Sequence, residues 1–265
     1  MNTKNKNDQH YNAEFYKGQK HISKQSAEEV IPLLIKLLNP QSVADVGCGV
    51  GTWLSVWKNN SVHNLIGIDG DYVDRSQLQI NVDEFIPYDL TTSLIFDKKF
   101  DIATSFEVGE HIPTEHSDIF VKNICSLSNV IVFSAALPGQ GGTNHINEQW
   151  PSYWAEIFKK YGYQPVDCLR MKIWNNDKIG YYYRQNMIVF IHQSVIEKYI
   201  HLTADSLSVE DGVLSIVHPD TLQKRMKDIN WLIKSYTNAK DDVHVSFQNF
   251  KKNFIKKAKQ KLNLS

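Results

Sequence analysis

The chain has 265 residues, enough for one large α/β domain with an appendage or for two small domains. Its content of 42% hydrophobic and 22% charged residues is that of an ordinary globular protein. Lys plus Arg and Asp plus Glu balance at 29 each, so no global field recruits nucleic acid, which disfavours a dedicated DNA or RNA binder.

Residues 1–25 read as a polar lead-in without the apolar centre of a signal peptide. No run approaches the roughly eighteen apolar residues of a membrane span. Cys48, Cys125 and Cys168 are widely spaced and form no C-x-x-C pair, so a reducing, cytoplasmic setting is expected. At Ser26 a helical pattern begins: "SAEEVIPLLIKLL" pairs Ser26 with Glu29 as a capping box. It continues as an apolar stripe of Val30, Leu33, Leu34, Leu37 and Leu38, which Asn39-Pro40 ends.

Short β-branched runs then alternate with helical segments: 42–47, 64–69, 100–106 and 129–136, with "HSDIFVKNICSL" as a crossover helix. That alternation predicts a parallel sheet covered on both faces. Residues 163–174 and 186–192 read as two further strands joined by "NNDKIG" in an antiparallel hairpin. Three regions are therefore expected: the lead-in 1–25, an α/β domain 26–192 and a helical extension 193–265. The extension ends with Val243, Phe247, Phe250, Phe254 and Leu262 near helical spacing, among six lysines and no acid. A terminal helix packed on its own domain or subunit is favoured there over a partner or membrane-surface contact.

The first strand runs into "DVGCGVGTWL", with glycines at 47, 49 and 51 where a helix begins. The spacing is G-x-G-x-G, and Thr52 stands where a dinucleotide fingerprint has its third glycine, which disfavours an NAD-dependent oxidoreductase. Asp69 ends the second strand, where a carboxylate can accept from both ribose hydroxyls. Asp89 follows a third likely strand in "PYDLT", and Glu107, Glu110 and His111 follow the fourth in "SFEVGEHIP".

In this order the motifs resemble those of class I S-adenosylmethionine-dependent methyltransferases, over about residues 26–192. The resemblance implies a Rossmann-like, seven-stranded, mostly parallel sheet with helices on both faces and one antiparallel strand. It implies S-adenosyl-L-methionine as cofactor and S-adenosyl-L-homocysteine as product. Asp45, Gly47, Cys48, Gly49, Gly51, Trp53, Asp69, Gly70, Asp89, Leu90, Glu107 and Val108 are the positions it assigns to the cofactor. No N-P-P-Y type of sequence follows the fourth strand, which argues against amino-group methylation of DNA or protein.

Directly after the fifth strand comes "PGQGGTNHINEQWPSYW" (138–154), placed to wall the acceptor pocket. His145 and Glu148 suit a general base and its orienting partner, with His111 as rival base. Gln140, Asn144 and Asn147 offer neutral hydrogen-bonding groups. Trp150 and Trp154 suit either ring stacking or helix packing, and Glu148 also suits the dipole of the helix that follows. Arg184 would fit a phosphate or carboxylate, although a surface ion pair is the favoured use. His145 and Glu148 lack a third ligand, so no metal is expected.

The loop resembles those of bacterial surface-glycan and capsule methyltransferases. That implies O-methylation of a sugar, a nucleotide-linked sugar or a phosphorylated, phosphoramidate-like small molecule. An amine on a small metabolite is the rival acceptor. A non-catalytic cofactor-binding module, docked to a partner through 243–265, is the rival class.

Overall fold

Seven strands form one sheet in the order β3-β2-β1-β4-β5-β7-β6 in the computed structural model, which describes residues 13–204 and 214–261. They are β1 (Ser42–Val46), β2 (Asn64–Asp69), β3 (Phe85–Pro87), β4 (Ile102–Phe106), β5 (Val130–Ser134), β6 (Tyr163–Val166) and β7 (Ile188–His192). Every pairing from β3 through β5 is parallel, and β7 runs antiparallel to both β5 and β6. β1, β4 and β5 are buried along their whole length, as strands covered on both faces must be.

The covering helices come from the predicted crossovers. On one face lie α1 (Ala13–Leu38) and α2 (Thr52–Asn59), whose Leu34, Leu54 and Trp57 pack with Val43, Val132 and Val189 of the sheet. On the other lie α3 (Ser117–Leu127) and α4 (Pro151–Lys160), whose Phe120, Ile124, Trp154 and Phe158 pack with Ala44, Ile131 and Phe133. Strand order reverses at β1, where β2 lies on one side and β4 on the other. Ligand crevices of open α/β sheets form at such a switch point, beyond the carboxyl ends of the strands.

Two expectations are corrected. Ser26 does not cap a helix, because α1 begins at Ala13, inside the expected lead-in; residues 1–12 of that lead-in lie outside the described residues. Ser26 Oγ instead donates to the Ile22 carbonyl at 2.7 Å and accepts from the Gly180 amide at 3.0 Å. Glu29 accepts from Asn176 and Lys178, so both supposed cap residues pin the 176–180 segment onto α1.

β6 and β7 pair antiparallel as expected, but β6 is shorter than the expected 163–174 and the connection is not a simple turn. The chain leaves β6 at Val166 and folds into α5 (Arg170–Ile173) and α6 (Tyr181–Asn186) before β7. A buried, bidentate pair stands where the strand ends: Arg170 Nε and Nη2 donate to the two Asp167 oxygens at 3.0 and 2.6 Å, and Nη1 to the Leu214 carbonyl at 2.7 Å. Both groups of such a charge fork need fixed partners inside the protein.

The chain forms two compact units, Met1–His218 and Pro219–Ser265. The first reaches past β7 through a 3₁₀ helix (Gln193–Tyr199) and α7 (Ile200–Ala204). The second consists of α8 (Pro219–Lys261), 43 residues and about 65 Å long at the rise of an α-helix. Its Leu222, Met226, Ile229, Ile233 and Tyr236 recur in alternating steps of four and three. The series passes Lys240 and continues through Val243, Phe247, Phe250 and Phe254. All nine apolar members are exposed in the single chain. A 3.5-residue repeat is the spacing of helices that wind around one another. Leu262 lies outside the described residues, and no described helix is long and apolar enough to cross a membrane.

Candidate active site

At the end of β1 the chain turns through Gly47, Gly49 and Gly51, all at positive φ, into α2. Gly47 is required by close approach, since a Cβ there would come within 2.4 Å of Val108 beyond β4. Gly49 differs: a Cβ at that position would meet nothing within 4 Å, so the turn has an open side. Asp69 closes the opposite side. Its Oδ2 accepts from the Gly49 amide at 2.7 Å, and its Oδ1 accepts from the Gly70 amide at 2.7 Å and the Tyr72 hydroxyl at 2.5 Å.

Asp45, Cys48 and Trp53 support this turn from within. Asp45 is buried and accepts from the Thr104 hydroxyl at 2.7 Å. Burial pushes its carboxyl up to about 7; the Thr104 bond opposes the rise and the charge of Asp69 adds to it. Cys48 is tucked beneath Gly67, and burial pushes its thiol up as well. Trp53 packs on Phe106 and Tyr183, with ring centroids 4.3 and 5.1 Å away. Beyond β3, Leu90 is buried, whereas Asp89 is exposed and accepts from the Thr91 amide and hydroxyl, which hold its carboxyl below the usual range.

Beyond β4 stand two carboxylates of different character. Glu107, at φ 55, accepts from Gln140 Nε2 at 2.7 Å and Asn186 Nδ2 at 3.1 Å. Burial pushes its carboxyl up, and those amides and Ser134 restrain the rise. Glu110 is 1% exposed, and neither of its oxygens has a hydrogen-bond partner. Burial, together with the charge of Glu107, pushes Glu110 well above the usual carboxylate range.

The 138–154 loop folds over these groups. Glu148 Oε2 and Oε1 accept from the Gly139 and Gly141 amides at 2.8 and 2.6 Å, and Oε1 faces His145 Nδ1 at 2.9 Å. Burial raises the Glu148 carboxyl, but the bonds from His145 and the two amides outweigh it and leave it below its ordinary range. The other nitrogen, His145 Nε2, lies 3.9 Å from Glu110 Oε1. His111 completes the group, its ring 5.0 Å from that of His145 and its Nδ1 3.3 Å from the Asn144 carbonyl.

The structure thus gathers His145, Glu148 and His111 at one place, as the sequence placed them. It gives the other loop residues different work. Asn147 is buried and bonded to Ser117, Thr114 and Gln149, so its side chain anchors the loop. Gln140 is buried between Glu107 and Asn186. Asn144 takes part through its carbonyl, in a left-handed conformation at φ 57. Trp154 is core, packed on Phe120 and Phe133, while Trp150 is 42% exposed at the start of α4. Arg184 is 7% exposed and donates to the Trp174 carbonyl at 3.1 Å, so it is not a surface residue.

Sequence reasoning gave no role to Tyr72 or Asn186. Tyr72 sits only three residues beyond Asp69, but nothing in its spacing shows the ring lying back over Gly70. Glu110 was visible in the fourth motif, whereas its meeting with His145, thirty-five positions on, needed the fold.

The chain matches the family described as a methyltransferase domain over residues 19–169. No curated protein matches it by sequence. Solved structures with the same fold include the sugar N-methyltransferase KedS8 from Streptoalloteichus sp. ATCC 53650. It is 13% identical, with 72% of this chain and 97% of that chain covered and a TM-score of 0.54. An O-methyltransferase family protein from Burkholderia thailandensis is 14% identical, with 67% and 58% covered and a TM-score of 0.51. DesVI from Streptomyces venezuelae is also 14% identical, with 67% and 95% covered and a TM-score of 0.50. At such identities the likeness is one of fold.

Proposed function

Because the chain belongs to the methyltransferase-domain family, an S-adenosylmethionine-dependent group, we propose that it methylates a hydroxyl of a sugar, a nucleotide-linked sugar or a phosphorylated small molecule. The residues fit the cofactor. Gly49 leaves its side of the turn open, and Asp69 stands at the end of β2 with a carboxylate able to accept from ribose hydroxyls. When bound, the cofactor supplies a sulfonium methyl whose transfer needs in-line alignment more than acid assistance.

One observation carries the choice of a hydroxyl: the fixed dyad of His145 and Glu148 beyond β5. A neutral hydroxyl is a poor nucleophile until a base takes its proton during the transfer, whereas a neutral amine attacks without such help. Glu148, held by two backbone amides, fixes the His145 ring through Nδ1 and leaves Nε2 turned toward Glu110 and the space between them. His111 stands beside it as a second proton acceptor. The exposed ring of Trp150 offers a stacking face at the edge of the same loop.

The surface-glycan setting rests on the resemblance of the 138–154 loop alone. An amine acceptor is the second reading; KedS8, a sugar N-methyltransferase, has the same fold but is only 13% identical.

The deciding experiment incubates the purified chain with labelled S-adenosylmethionine and a panel of sugars, nucleotide sugars, phosphorylated sugars and their amine analogues. Label on a hydroxyl acceptor, with S-adenosylhomocysteine released in equal amount, is the expected result. In His145→Ala, cofactor affinity should hold while turnover falls about 10²- to 10⁴-fold. Methylation of amine analogues alone would overturn the hydroxyl assignment. Cofactor binding with no turnover on any acceptor would favour the non-catalytic module.

A further inference from the structure

Two imidazole rings and two carboxyl groups meet in this site, and not every one of their polar atoms has a partner. His145 Nδ1 faces the Glu148 carboxylate at 2.9 Å, and a carboxylate only accepts, so Nδ1 carries the hydrogen and Nε2 the lone pair. His111 Nδ1 faces the Asn144 carbonyl, so the same argument leaves its Nε2 with a lone pair. Glu110 adds a carboxyl group that is 1% exposed and makes no well-formed hydrogen bond through either oxygen, with only the backbone amides of Glu110 and Ala136 directed toward it. One ligand atom from each of Glu110, His111 and His145 lies within 4.8 Å of the others. A buried carboxyl group without a hydrogen bond, set beside two imidazoles, is a costly arrangement unless something fills the place between them.

We propose that Glu110, His111 and His145 bind a divalent first-row transition cation, with Glu148 as the carboxylate that orients His145. The separation of His145 and Glu110 suits it. Two ligands at roughly 2.1 Å from a shared ion can stand 3.9 Å apart, the separation of His145 Nε2 and Glu110 Oε1. Two imidazoles and one carboxylate form a donor set for ions of the manganese-to-zinc row, with coordination positions left for another ligand. A carboxylate on the far nitrogen of a ligating histidine fixes its tautomer and strengthens it as a donor, which is the place Glu148 holds. Gly142 keeps the approach clear, since a Cβ there would stand 2.1 Å from His145 Nε2.

The inference rests on the hydroxyl-methylating reading and deepens it. With a cation in place, Nε2 of His145 would be a ligand, and the ion would take over the part that the dyad plays as base when no ion is bound. Such an ion would supply Lewis acidity: it would lower the pKa of an acceptor hydroxyl beside it, whose proton would pass to solvent, and so make the oxygen a nucleophile without a side-chain base. Acceptors with two adjacent oxygens, such as vicinal diols or a hydroxyl beside a phosphate, would hold such an ion best.

The test measures cation binding itself, without acceptor. Chelator-treated full-length protein is titrated with Co²⁺ and Mn²⁺ by calorimetry, and with Co²⁺ by visible absorption. One ion per chain and a rise in melting temperature are expected. Glu110→Gln and His145→Ala should abolish both effects while S-adenosylmethionine affinity is kept, and His63→Ala, at an exposed site, should change nothing. Glu148→Gln should weaken the ion about 10- to 100-fold. Gly142→Ala, which keeps every ligand but crowds Nε2, should weaken it too. Absence of binding by the unaltered chain, or equal binding by Glu110→Gln and His145→Ala, would overturn the proposal. Cofactor binding and methyl transfer are read separately, so a chain that methylates hydroxyls without a cation defeats this inference and leaves the broader reading intact.

Discussion

The hydroxyl of Tyr72 donates to Asp69 Oδ1 at 2.5 Å, on the carboxylate that the cofactor's ribose would use. The ring lies over Gly70 closely enough that a Cβ at that glycine would fall 2.1 Å from its Cε1. Tyr72 thus occupies an acceptor site which a ribose hydroxyl would have to take over. Tyr72→Phe should tighten S-adenosylmethionine binding about two- to tenfold, the factor that a net hydrogen bond of ~0.5–1.5 kcal/mol represents. Asp69→Ala should weaken binding by more than about tenfold, because hydrogen bonds to a charged acceptor contribute ~1.5–3 kcal/mol. Calorimetric titration of both variants checks the pair. An unchanged constant in Asp69→Ala would remove Asp69 from the cofactor site.

Asp45 links the glycine turn to pH. Its folded carboxyl stands at about 7 against an ordinary 3.8, raised by burial despite the Thr104 hydroxyl. A group raised in this way keeps a proton in the folded chain that the unfolded chain has released. Its contribution to stability is therefore complete below about 3.8 and is lost as pH rises through about 7. Roughly three units correspond to at most ~4 kcal/mol. Asp45→Asn abolishes that titration, so the variant's melting temperature should rise relative to the parent between about pH 5 and about pH 8. Thermal melts of cofactor-free protein across that range measure it, and parallel pH curves would refute the assignment.

Legibility in the sequence followed locality. β2 was readable to its last residue because in "NLIGID" Leu65, Ile66 and Ile68 form a short apolar run between the polar Asn64 and Asp69. The glycine turn and Asp69 could be placed because their signal is short-range spacing. Ser26 and Glu29 misled, since a capping box and a pair of tertiary contacts are written with the same residues; only Gly180, Asn176 and Lys178 distinguish them. The antiparallel pairing of the last two strands was legible, but the end of the first was not, for a similar reason. Asp167 and Arg170 look like solvated charges until the fold buries them against the Leu214 carbonyl. In the loop, Asn147 and Gln140 have the residue type of substrate ligands, but their amides are consumed internally. Amide side chains carry no sequence mark for which partner they will find.

The two tryptophans, four residues apart, were indistinguishable by pattern and are now separable by experiment. Trp154 is 2% exposed among Phe120, Phe133 and Tyr153, while Trp150 is 42% exposed. Trp154→Ala should destabilise the chain by ~3–5 kcal/mol, as deletion of a large core aromatic does. Trp150→Ala should change stability by less than ~0.5 kcal/mol and instead raise KM for a ring-bearing acceptor. Chemical denaturation and steady-state kinetics on the two variants test this, and equal destabilisation would deny Trp150 a place on the acceptor side.

Removal of residues 243–265 separates the terminal helix from the chemistry. Val243, Phe247, Phe250 and Phe254 are 62–70% exposed, so they contribute little buried area within the single chain. At ~25 cal/mol per Å² of apolar surface buried, side chains that stay in water give the fold almost nothing. The shortened chain should therefore keep the melting temperature and cofactor affinity of the full one. The four–three spacing suggests that what does change is association: α8 loses the half of its apolar seam beyond Lys240, and a partner helix needs several consecutive turns to hold. Sedimentation of the full and shortened chains, run beside the melts, measures both effects. A large drop in melting temperature for a shortened chain that sediments like the full one would show instead that this segment supports the fold.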